Sequence, residues 1–204
     1  MPILPKERDP RLVTIRRGGT LTDEHHHLLA EWALQCAEHV LPLFERESPD
    51  DPRPREAIEV GRAWIRGEVR MTVAHDTAFR ANAAGRGLPD PARFAALSAG
   101  QAVAVAHVAA HDLGAAAYAI RAVRAAAEAA ALAPAGTGTA ARTAARAAAR
   151  AAGDEAAATE RQWQRDRLPD AVRALVLEDQ RARSPICWNV FDDDHTTHEP
   201  KGTP

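Results

Sequence analysis

The sequence predicts an all-α protein, a single-domain multi-helix bundle of about six to eight helices, alanine-rich, with an irregular C-terminal tail. Alanine fills 47 of the 204 positions and is the strongest intrinsic helix former, because it gives up no side-chain entropy. Apolar residues recur three or four apart over most of the chain, which is the period of one helix face, and no convincing alternating run marks a strand. A chain of this length suits one hydrophobic core. Alanine buries little area, so that core should rest on Trp32, Trp64, Phe44, Phe79, Phe94 and Tyr118 and on helices that approach closely.

Residues 1–19 are expected to form an N-terminal extension, 20–183 the helical domain and 184–204 an irregular tail. Thr22 or Asp23 can cap a first helix whose stripe runs through Leu28, Leu29, Trp32, Cys36, Val40 and Leu43. Pro42 removes a backbone donor and should kink or end that helix near Leu41. Three prolines then turn the chain. Either Asp51 caps a second helix with Pro52 as its first residue, or Arg53 and Pro54 take those places. Ala57, Ile58, Gly61, Trp64 and Ile65 make its stripe, Gly67 breaks it, and Val69, Val73 and Phe79 continue a third helix. GRGLPDP, 85–91, is a stop and restart, with glycine for the cap and proline for the new first turn. The pattern from 91 to 132 would be about 60 Å long as one helix, too long for a domain of this size, so a break is expected around Asp112 to Gly114. PAGTGT, 134–139, reads as a flexible loop, and the alanine and arginine repeat after it as a low-complexity helix that packs weakly. Leu168 and Pro169 open a last short helix with Val172, Leu175 and Val176, and an extended tail follows from Ser184.

The charge balance, 26 basic against 28 acidic residues, gives a net charge of −2, so no global field favours nucleic acid or anionic lipid. Two cysteines, Cys36 and Cys187, imply no disulfide framework and fit a reducing compartment. The N-terminus breaks its apolar residues with prolines and charges, and arginines punctuate the alanine-rich segments, so neither a secretory signal nor a membrane span is expected. The expected location is the cytoplasm.

Candidate chemistry is sparse. His107 and His111 stand four apart, so on one helix face they could share a metal with His75 or His39, as in DinB-type metal-dependent helical bundles. Their setting of small residues equally suits a tight helix interface, and that is the reading preferred. The run His25, His26, His27 fans around a first helical turn, which prevents three-way chelation and suits solvated surface. Glu24 and His27 form one Glu-x-x-His, but no second copy answers it, so a di-iron centre fails on count. Neither cysteine nor Ser98 or Ser184 sits on a Gly-rich elbow, and no phosphate-binding glycine motif occurs. No catalytic residue, cofactor or metal is therefore assigned. Arg142, Arg146, Arg150, Arg161, Arg165 and Arg167 read as a solvated face, since local acids offset them. Glu45, Glu47, Asp50, Asp51, Glu56 and Glu59 crowd the proline corner, where a helix N-terminus favours carboxylates.

The stretches AEWALQCAEHVLPLFERESPDDPRPREAIEVGRAWIRGE (30–68), GQAVAVAHVAAHDLGAAAYAIRAV (100–123) and ERQWQRDRLPDAVRALVLEDQ (160–180) occur together and in order. Over about residues 20–183 the chain thereby resembles the five-like class of immunity proteins of bacterial polymorphic-toxin systems. The resemblance implies an all-helical cytoplasmic protein that binds a cognate toxin and blocks it, and it supplies no catalytic residues. The six acids of the corner are then the expected partner-binding patch, steering a basic toxin. The alternatives are a metal-dependent bundle enzyme using His75, His107 and His111, and a helical scaffold or homodimer.

Overall fold

The computed structural model describes residues 4, 5, 7–133 and 138–193. Among them stand seven α-helices: α1 (Asp23–Glu45), α2 (Arg53–Ile65), α3 (Met71–Ala84), α4 (Asp90–Ala104), α5 (Asp112–Leu132), α6 (Thr139–Asp166) and α7 (Asp170–Arg183). The described residues hold no strand, only one isolated bridge between Thr14 and Leu21. α1, α4 and α5 carry the buried centre, with α2 and α3 packed on one side and α6 and α7 on the other.

Thr22 caps α1, its hydroxyl accepting the His25 N–H at 3.2 Å. The helix does not end near Leu41 but runs through Pro42 to Glu45. One lost backbone bond is outweighed by Leu41 and Phe44, both buried, which hold the last turn against the core. In the corner Asp51 accepts the Arg53 N–H at 3.1 Å. α2 begins at Arg53 with Pro52 in the cap and Pro54 in the first turn, a register between the two expected. Gly61 lets α2 lie on α1, since a Cβ there would stand 2.6 Å from Leu34 Cδ2.

The buried face of α3 consists of Ala74, Thr77, Ala78, Ala81 and Ala84. Phe79, expected as a core anchor, is 62% exposed, and Val73 is exposed too. The small residues win because α4 approaches too closely for a ring: a Cβ on Gly100 would meet Asn82 Oδ1. The remaining anchors do pack, with Trp32, Phe44 and Phe94 buried and Trp64 and Tyr118 half-buried.

The helical pattern from 91 to 132 breaks earlier than expected, through residues 105–111, so Asp112 opens α5 instead of interrupting a helix. His26 fixes the break from outside, its Nε2–H donating to Val105 O at 2.7 Å. Ser98 ties α4 to α5 by donating to Ala115 O at 2.8 Å. α6 was expected to pack weakly, yet Ala149, Gly153, Ala157, Glu160 and Gln164 are buried along it. Gln164 is shared among three helices, since its side-chain amide N–H donates to Ala116 O at 3.2 Å and its backbone carbonyl accepts Trp32 Nε1–H at 2.8 Å.

Past α7 the chain is not an extended tail up to residue 193. A 3₁₀ turn at Ser184–Cys187 leads to Val190 and Phe191, both buried. Two arginines once read as solvated hold this segment: Arg161 donates to Val190 O at 3.2 Å and Arg165 to Phe191 O at 2.8 Å. Arg121 lies over the Phe94 ring at 3.9 Å and the Trp188 ring at 4.1 Å, adding cation–π attraction to the closure. The expected 134–139 loop falls mostly outside the described residues, as does the tail from 194.

Candidate functional site

Of the six acids at the proline corner, three are engaged by arginine. Asp51 pairs with Arg53 at 2.6 Å, Glu45 with Arg55 at 2.5 Å and Glu56 with Arg80 at 2.9 Å. The Arg53 guanidinium holds the Asp51 carboxyl below its ordinary value. Glu47, Asp50 and Glu59 remain exposed. The patch is therefore three ion pairs and three carboxylates with no ion pair among the described residues, a weaker field than six acids would produce.

The histidines separate. His107 lies in the turn after α4 and His111 closes a 3₁₀ turn, so the two do not share a helix face. His111 Nδ1–H donates to Gln101 Oε1 at 2.7 Å, and burial, reinforced by His107, pushes its pKa down to about 4. His75 and His107 do meet, ring centroids 4.7 Å apart, but His39 pairs with Glu160 at 2.8 Å and stacks on Trp163. Among the described residues no group of three or more His, Cys, Asp or Glu side chains is placed to hold a metal ion. The His25–His27 run is not all solvated surface either. His26 is buried, and both His26 and His27 make edge contacts with Trp64.

Two features escaped the sequence. The first is a buried ion triad, in which Arg183 bonds both Asp179 oxygens, Ala110 O at 2.8 Å and, at 3.4 Å, Asp112 Oδ1. The second is a cleft of about 450 Å³ under the N-terminal segment. That segment is no loose extension: 3₁₀ turns at Pro10–Leu12 and Ile15–Arg17 fold it down, with Leu12 and Leu21 buried. Arg8, Arg16 and Arg17 line one wall of the cleft, His26 and His107 the other, and Trp64 and Met71 supply apolar surface. Arg17 Nη1 donates to His107 O at 3.0 Å, which locks the segment to the 105–111 break. The only hint in the sequence was the cluster of arginines at 8–17, far along the chain from the histidines it faces.

Ring contacts lead outward from one of the cleft residues, His107. His75 touches both His107 and the exposed Phe79, whose ring centroid lies 4.9 Å from its own. Ile15, between cleft residues Thr14 and Arg16, is also exposed. Arginine, tryptophan and other aromatic side chains around a concavity are the composition of protein-interface anchors. No helix among the described residues is long and apolar enough to cross a membrane.

The family described as Imm-5 like putative immunity protein matches residues 19–171, which stops within α7, short of the 183 expected. No curated protein matches the chain, and no solved structure matches it. With three quarters of the sequence inside one family match, and an all-helical bundle built on the stretches that suggested it, the chain belongs to the Imm-5 like family of immunity proteins.

Proposed function

We propose that this protein neutralises a cognate bacterial toxin by binding it, without turnover, in the cytoplasm. Its family membership supports an immunity role. The observation that carries the binding reading is the concavity lined by Arg17, Trp64 and Met71, whose His107 is joined through His75 to the exposed Phe79. A standard interface takes about 800 Å² from each partner, with a few aromatic and arginine anchors inside a polar rim. The corner acids are the second surface of this reading, where Glu47, Asp50 and Glu59 hold unpaired charge to steer a basic toxin.

The test is co-expression with toxin domains from neighbouring reading frames, followed by calorimetry of the purified pair. Restored growth with a one-to-one complex is the expected result. Growth restored with no complex would remove the binding reading, and a stoichiometric metal in the purified chain would favour the enzyme instead.

A further inference from the structure

The charged side chains lining the cleft are all arginines, Arg8, Arg16 and Arg17, with no carboxylate among the lining residues; burial lowers the pKa of His26 and of His107 and favours their neutral form. Arg16 is offset by Asp23 at 2.7 Å. Arg8 makes no ion pair among the described residues, and Arg17 uses one N–H on a neutral backbone carbonyl. His107 Nδ1 is buried and has no hydrogen-bond partner among the described residues. Such a group is costly unless something completes it. α3 also begins at Met71 on this wall with no side-chain cap, so its uncompensated N–H groups add positive potential. A concave, low-dielectric wall focuses that potential.

We propose that this cleft receives an acidic segment of a protein partner, whose carboxylates meet Arg8 and Arg17 while its apolar atoms pack on Trp64 and Met71. Taking the partner to be a protein rests on the toxin-binding reading above. The shape agrees with it. A half-open concavity of mixed polar and apolar lining, with the exposed Ile15 between two of its lining residues, suits a side-chain cluster on a folded surface. Nucleic acid needs a track of phosphate contacts with stacking platforms along it.

The experiment uses the full chain and fluorescein-labelled hexaglutamate, read by anisotropy at low salt. Saturable binding is expected, weakened at least about tenfold by Arg8→Ala and by Arg17→Ala, as for loss of a charge-assisted hydrogen bond. Arg142→Ala, on the exposed part of α6, should leave it unchanged. Arg8 has no ion pair among the described residues, so its variant stays informative if loss of the Arg17–His107 bond disturbs folding. Equal weakening by Arg142→Ala, absence of saturable binding, or more effective displacement by inorganic phosphate or hexauridylate than by unlabelled hexaglutamate would overturn the proposal. Toxin binding separates the two readings. A toxin held equally well by Arg8→Glu/Arg17→Glu removes the cleft and keeps immunity by binding. Peptide held through Arg8 and Arg17 with no toxin bound removes the toxin and keeps the acidic-segment site.

Discussion

Replacing Asp112 by asparagine tests how the interior carries its charge. The Asp112 side chain is fully buried, accepts the Leu113 N–H at 2.6 Å through Oδ1 and leaves Oδ2 without a partner among the described residues. Burial pushes this carboxyl up to about 7 from 3.8, against the pull of Arg183 and with the Asp179 charge adding to the rise. An acid whose folded pKa lies above its unfolded one keeps its proton longer when folded. Stability therefore falls as pH climbs from about 4 to about 7 and levels off above that. At about 1.4 kcal/mol per unit, the window amounts to about 4 kcal/mol. His111, the preceding residue, works the other way: its folded pKa of about 4 lies below the ordinary 6.5. Its contribution is present above about pH 6.5 and is lost as pH falls to about 4, on the order of 3 kcal/mol. The two slopes nearly cancel in the native protein. D112N should expose the His111 slope, so that its stability relative to the native chain rises by about 4 kcal/mol between roughly pH 4 and 7.5. Urea titrations followed by circular dichroism across that range measure the difference. A gap between the two proteins that stays constant with pH would refute the reasoning.

Arg183→Met strands Asp179 and Asp112 without their guanidinium and Ala110 O without its donor, which should cost about 3–5 kcal/mol. Thermal melts should show a fall of about 2–4 °C per kcal/mol, and adding D112N should recover part of it. Gly61→Ala drives a Cβ into the buried Leu34 and should cost about 1–3 kcal/mol in urea titrations. At Gly153→Ala the nearest obstacle is the part-exposed Glu128 side chain, which can swing outward, so a gain of up to about 1 kcal/mol from helix propensity is expected by the same assay. Charge reversal of Glu47, Asp50 and Glu59 together should slow association with a basic toxin several-fold in stopped-flow mixing and lessen its salt dependence, with little change in dissociation. Unchanged association would remove the corner from the steering surface.

The acidic corner and the basic cleft divide the polar chemistry of this chain differently from a count of charges. Six clustered carboxylates looked like the dominant field, but three face arginines that the fold returns to them, two from the second helix and one from α3. Exposed pairs of this kind stabilise by about 1 kcal/mol at most and cancel one another at a distance. The unopposed positive groups at the cleft, Arg8 and Arg17, come from residues 8–17, ahead of the family match at 19, while the 105–111 break inside it supplies the facing wall.

The sequence by itself determined the helical class, the order of elements and most of their turns, because helix propensity, capping by Thr22 and the glycine and proline breaks act within a few residues. It also carried the family, in stretches at 30–68 and 100–123 that lie inside the match. The tertiary structure decided which face of each helix is buried. In an alanine-rich helix several faces are apolar enough, so packing closeness chose the small residues of α3 and left Phe79 outside. It decided too where charges close on one another: Arg183 finds Asp112 across 71 positions, and Arg161 and Arg165 find the chain past α7. Such pairings depend on how whole helices are placed in space, and local periodicity holds no information about that.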